Sequence, residues 1–209
     1  ENERISLNVL NSNIRMAGFA RGTPVGFIDT SDDPNDSTKK LTENGTGTDN
    51  DRITVRYESN TDCLGQDTSG VGFSVNTFFI ENQQLKCRGN GGDDGSGGTG
   101  GTETNAGKNA QVLADNIESM QILYGVNTSN DTDDLAPNRY VNFGTGSPLA
   151  ADMSNVTGVR ISLLIRSPGT VKPHSESSSY TLLDAPALSY NDKYKRQVVT
   201  STVLLRNAQ

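Results

Sequence analysis

The sequence contains no tryptophan, one histidine and only two cysteines, and hydrophobic residues fill just 32% of its 209 positions. Each shortage removes a class of protein. Two cysteines and a lone His174 fall short of a four-ligand zinc site. His174 lies in a Pro/Ser-rich stretch with no evident acid–base partner, and no nucleophile-elbow pattern occurs, so the chain reads as a non-enzyme without a cofactor. Basic runs never exceed a pair, Lys39–Lys40 and Lys195–Arg196, and the formal net charge is −7. Such a balance repels a phosphate backbone, so no direct nucleic-acid partner is expected. Nor does any apolar run reach the ~18 residues that a membrane span requires.

What is present reads as one domain over residues 1–209, built from short strands and long polar loops. Residues 1–19 carry a helical pattern, with Ile5, Val9, Leu10, Ile14 and Ala17 as the apolar stripe and Gly18 as the stop. The stripe predicts that Ile5, Val9, Leu10 and Ile14 dock the helix onto a sheet. No capping residue precedes Glu1, which predicts a helix that starts upstream of it. Strand patterns follow at Arg52–Tyr57, Gly72–Ile80, Gln84–Arg88, Ile117–Tyr124, Arg139–Val141, Val159–Arg166 and Tyr180–Leu183. The closing segment, Arg196–Leu205, can bury both faces and so predicts a central strand. Val112–Asn116 reads as a short helical turn. One helix followed by antiparallel strands predicts an α+β fold, helix on sheet, in which residues 20–209 form the sheet and its decorating loops.

Several stretches mimic sites. Residues 89–107 are Gly-rich and of low complexity, which predicts a flexible loop. Its end, Gly101 to Asn109, resembles a phosphate loop but has five residues between the glycines, and Asn109 stands where Ser or Thr would bind magnesium. The acidic clusters Asp93–Asp94 and Asp131–Asp134 read as solvated turns, with calcium ligation through oxygen as the alternative. For Cys63 and Cys87, 24 positions apart, two readings stand: buried free thiols, or one disulfide in an exported protein. The loop-rich composition favours the disulfide, which would contribute roughly 3 kcal/mol.

Four segments together resemble the PilW family of type IV pilus minor pilins. Glu1–Arg4 through Arg15-Met16-Ala17-Gly18-Phe19 resembles the second half of the pilin helix and its exit. Asn116 to Val126, followed by an Asp-rich turn and Asn138-Arg139-Tyr140-Val141, resembles the family's central strand. Val159 to Arg166 resembles its Val-Arg-Ile-Ser-Leu-Leu strand, and Lys195 through Arg206-Asn207 resembles the last strand and near-terminal Arg-Asn. Cys63-Leu64-Gly65 and Cys87 sit where the family commonly carries a cysteine pair.

The resemblance implies a pilin-like fold and a structural task. With other minor pilins, the protein would prime pilus assembly and sit at the tip. Its partners would be those minor pilins, the major pilin and a tip adhesin, met through the sheet edge and loops. The very apolar half-helix with an early Glu is absent from these residues. The expectation is therefore a head anchored in the inner membrane only through an upstream helix, periplasmic before assembly and extracellular afterwards. Two alternatives share the chain's features: a J-type minor pseudopilin of type II secretion, and an adhesive module for a surface ligand.

Overall fold

A computed structural model describes residues 2–21, 26, 28–92, 101–102, 104–106, 108, 110–128, 136–144 and 155–207. The acidic clusters Asp93–Asp94 and Asp131–Asp134 lie outside them. The chain opens with helix α1 (Asn2–Met16), then β1 (Asp32–Asp33), β2 (Asp36–Lys40), β3 (Ile53–Glu58), β4 (Phe73–Glu81), β5 (Gln84–Arg88) and β6 (Gln111–Asp115). There follow β7 (Ile117–Val126), β8 (Arg139–Val141), β9 (Val156–Arg166), β10 (Glu176–Tyr180), β11 (Leu188–Asp192) and β12 (Arg196–Leu204). Two antiparallel four-stranded sheets form the body, ordered β3-β4-β5-β6 and β12-β9-β7-β8, while β1-β2 and β10-β11 are two-stranded ribbons. Strand dominates, and among the described residues α1 is the sole helix.

The expected helical turn at Val112–Asn116 is instead β6, which leads directly into β7 through one residue. Asn116 has φ 63°, a left-handed conformation that Asn tolerates better than most residues, and it passes the chain from one sheet to the other. The sheets are sewn together a second time at Asn50 and Asp51. Asn50 Oδ1 accepts from Met120 N–H (2.9 Å), Asp51 N–H donates to Met120 O (3.0 Å), and Asp51 Oδ2 accepts from Ile122 N–H (2.6 Å). These groups complete the edge of β7 where no strand pairs with it. Asp51 Oδ1 also accepts from Gly45 N–H (2.7 Å), closing the 45–51 loop. Gly45 is obligatory there, since a Cβ would stand 2.4 Å from Asp49 O.

α1 packs against strands of both sheets, β12, β6 and β3, and does not lie on one sheet alone. Its inward row is Ser6, Leu10, Ile14 and Ala17, spaced at four, four and three residues; all are fully buried, and the three apolar ones join Phe78, Ile117, Met120, Ile161 and Leu163 in one core. Val9 is half-buried against that core. Ile5 departs from the expected docking set. It precedes Ser6 by one position, a turn of about 100° around the axis, and is 41% exposed.

β12 is not central. Val199, Val203 and Leu205 are buried, yet Thr200, Thr202 and Leu204 are exposed, because α1 covers only one of its faces. The Gly-rich stretch is built in at its ends. Gly89, Asn90, Gly91 and Asn105 are buried. Asn90 Oδ1 accepts from Val75 N–H (2.8 Å) while its amide donates to Thr102 O (2.7 Å). Asn105 Nδ2 donates to Thr77 Oγ1 (2.8 Å).

Burial pushes the Asp51 carboxyl up to about 7, against the opposing effect of its Gly45 and Ile122 hydrogen bonds; Asp184 and Glu43 add to the rise. The folded chain therefore binds this proton more tightly than the unfolded one. The resulting stabilisation is complete below the ordinary value of 3.8 and is lost as pH rises through about 7. Denaturant titrations across that window should show stability falling with rising pH, by up to about 1.4 kcal/mol per unit from this group. Asp51→Asn should flatten that slope while costing about 1–3 kcal/mol, since an amide cannot accept from both N–H groups. The helix row predicts a second contrast: Ile14→Ala should cost about 2–5 kcal/mol, whereas Ile5→Ala should stay within about 0.5 kcal/mol.

Candidate assembly surface

The outward side of α1 is fixed by a polar pin between its two apolar edges. Asn13 follows Leu10 by three residues, which turns its amide toward the sheet. Tyr57 O–H donates to Asn13 Oδ1 (2.7 Å), and Asn76 Nδ2 donates to the same atom (3.0 Å). Asn76 Nδ2 also reaches Tyr57 Oη (3.0 Å), and its Oδ1 accepts from Cys63 N–H (3.0 Å). Burial raises the Tyr57 phenol to about 12, so it remains a neutral donor. Sequence reading missed this pin. Its signal was an Asn inside a helix, next to a buried position, where a polar side chain needs a partner.

Cys63 and Cys87 form a disulfide that ties the 59–72 loop to β5. Asp62 shapes the same loop by accepting from Leu64 N–H (2.8 Å), Gln66 N–H (3.0 Å) and Gly91 N–H (2.8 Å). Gly89 and Gly91 leave it room, since a Cβ on either would meet its carboxylate within 2.8 Å.

Between the helix and this loop runs an open groove of about 370 Å³, bordered by Asn8, Val9, Ser12, Tyr57, Thr61 and Cys63. Along the helix, Ile5 (41% exposed), Val9 and Met16 (39% exposed) face outward or sideways, leaving apolar surface that the sheets do not use. A second concavity, a polar cleft of about 810 Å³, opens between the 40–47 segment and Asn142–Gly144. Thr30, Lys40, Glu43, Thr46, Asn142 and Phe143 border it. Phe143 meets Tyr124 edge-on at 6.3 Å, and Asn142 Nδ2 donates to Asp184 (3.0 Å).

The β10-β11 ribbon is held against the body by Arg196. Its guanidinium binds Glu118 (2.5 and 3.0 Å) and Asp192 (2.9 and 2.8 Å), and stacks over Tyr190 at 3.6 Å. Hydrogen bonding from Arg196 holds the Asp192 carboxyl at about 2. A similar clasp fixes the 31–36 segment: Asp33 is buried between Arg52 (3.0 Å) and Arg88 (2.8 Å), both of which lie over Phe79. These charges are committed to one another, and no group of three or more His, Cys, Asp or Glu among the described residues is arranged to hold a metal ion. His174 is exposed and lies 3.9 Å from Glu176. The arrangement offers docking surfaces and a cleft, with its buried titratable groups consumed by the fold.

Comparison with solved structures gives the type IV-like pilin TTHA1219 from Thermus thermophilus at a TM-score of 0.51 and 15% identity, covering 99% of this chain and 96% of that one. The similarity is one of fold. No curated protein sequence matches. The family model for type IV pilus-assembly protein W matches residues 64–207, more than half of the chain and inclusive of every strand of the second sheet. A family match of this length settles the identity: the chain belongs to the PilW family of type IV pilus-assembly proteins.

Proposed function

We propose that this protein is a minor pilin that acts with other minor pilins to prime type IV pilus assembly and takes a place at the pilus tip. The observation that carries this reading is the two-sided helix. Leu10, Ile14 and Ala17 commit one side of α1 to the core, while Ile5 and Met16 remain exposed beside a groove. A helix that only completed its own domain would have no use for that second apolar strip. In this reading Leu10 and Ile14, flanked by Val9, hold the head on its helix. The outer side meets neighbouring pilins, and an upstream extension of the helix anchors the protein in the inner membrane with the head in the periplasm until assembly carries it outside. The Cys63–Cys87 bridge suits that exported setting. Cells lacking the full-length protein should show several-fold fewer surface pili and reduced twitching; normal piliation in such cells would refute the priming role.

One observation favours an additional adhesive role, the polar cleft. Its hydroxyl, amide and carboxylate groups, with Phe143 at the border, suit a neutral, hydroxyl-rich ligand such as a glycan. Incubated with a glycan array, the purified chain should retain a defined subset of sugars, and Glu43→Gln should weaken that binding at least ten-fold. A blank array would remove the adhesive role.

A further inference from the structure

Irregular chain closes the outer edge of β3 and the unpaired part of β7. On the outer edge of β3, Arg52 exchanges two backbone bonds with Glu43 (3.1 and 3.0 Å). Thr54 O accepts from Asp29 N–H (3.1 Å), and its N–H donates to Thr42 Oγ1 (3.0 Å). Arg56 O accepts from Gly18 N–H (2.8 Å), and Glu58 N–H donates to Phe19 O (2.7 Å). Arg52 and the three outward residues of β3, Thr54, Arg56 and Glu58, thus all have partners. On β7 the same task falls to Asn50, Asp51 and β8.

β12 is treated differently. It ends its sheet and pairs with β9 through nine residues without a register shift, from Arg196↔Arg166 to Leu204↔Gly158. Leu205 N–H donates to Thr157 O (2.9 Å) and Ser167 N–H donates to Lys195 O (2.8 Å), so the odd-numbered residues turn their backbone groups toward β9. In an antiparallel ladder the alternate residues then point away. These are Val198, Thr200, Thr202 and Leu204, and none has a backbone partner on that side among the described residues. Thr200 and Thr202 are exposed, and Leu204 is 54% exposed. This is the longest uncovered strand edge among the described residues. The usual protections are missing, since residues 197–205 contain no Pro, no Lys and no bulge.

We infer that the outer edge of β12, from Val198 to Leu204, receives an extended strand from a different subunit of the pilus-assembly complex, which extends the β12-β9-β7-β8 sheet. The inference rests on the assembly role proposed above and specifies which surface performs it. A row of alternating N–H and C=O groups selects a strand, since neither a helix nor a compact ligand satisfies donors and acceptors at that repeat. The occupant spans about seven residues, or about 23 Å at strand spacing. Its alternate side chains face Thr200, Thr202 and Leu204. Thr200, Thr202 and Leu204 are uncharged, and Arg160 of β9 donates from Nε to Thr202 Oγ1 (3.1 Å), so the facing side chains are rich in Thr, Ser or Val and carry no positive charge. A second copy is a poorer occupant. Pairing β12 with itself about Ser201 would be two-fold symmetric and set the two α1 helices in opposite directions, whereas helices that extend upstream into one membrane, as proposed above, run alike.

The test is carried out on the full-length protein in cells. Thr200→Pro removes an outward N–H that has no backbone partner among the described residues, a position where an edge strand accepts proline. Thr202→Lys adds an edge charge and leaves the backbone intact. Both variants should keep a melting temperature close to that of the parent, yet reduce surface pili several-fold, to near the level of cells lacking the protein. Ser178→Lys, on the β10-β11 ribbon, should leave piliation unchanged. Normal piliation with a folded Thr202→Lys protein would overturn the proposal while leaving the priming role intact, and piliated cells without the protein would overturn the priming role itself. Should sedimentation show a dimer of the parent that Thr200→Pro dissolves, the occupant is a second copy and the proposal is wrong.

Discussion

The contact between the 49–51 segment and β7 holds two sheets in one body. β7 lies within the second sheet, but over Met120–Ile122 only one of its sides is paired to a strand. Asn50 and Asp51 supply the missing partner with two side chains and one backbone N–H. Because Asp51 immediately precedes Arg52 and Ile53, this capping also sets where β3 begins. β3 in turn places Tyr57 under the helix, and Tyr57 fixes Asn13. The direction in which α1 presents its outer side thus descends from one buried carboxylate. Satisfying two backbone donors with it costs less than leaving them bare in the core.

The apolar skeleton of this fold was legible in the sequence, and its polar parts were not. β3, β4, β7 and β9 alternate or run apolar against the core, and their segments stand out for that reason. β1, β2, β10 and β11 are spelled Asp-Asp, Asp-Ser-Thr-Lys-Lys, Glu-Ser-Ser-Ser-Tyr and Leu-Ser-Tyr-Asn-Asp. These ribbons bury little, and they are held by ion pairs such as Arg196–Asp192 that no local pattern announces. β6 reads as a helical turn because Gln-Val-Leu-Ala-Asp favours helix locally, yet β5 needed a partner.

The surface features follow the same division. Periodicity placed Ile5, Leu10 and Ile14 in one stripe; Leu10 and Ile14 are buried, while Ile5 sits one position before the buried Ser6 and is exposed. β12 looked central because valines and leucines alternate on both of its sides. Interior and edge positions differ here in what lies beside the strand, and a single strand's sequence does not contain that information. The pin of Asn13, Tyr57 and Asn76 joins residues 44 and 63 positions apart, which only the assembled sheets bring together.

At the exit of α1, Gly18 N–H donates to Arg56 O and Phe19 O accepts from Glu58 N–H, so the chain leaving the helix is hydrogen-bonded to the outer edge of β3. A pull on the N-terminal end of α1 reaches the head through this pair of bonds and the Asn13 pin. These links lie at the junction itself, where the helix passes into the head. The joint between helix and head is thereby a mechanical coupling, in which the polar links of Asn13, Gly18 and Phe19 act beside the buried contacts of Leu10, Ile14 and Ala17.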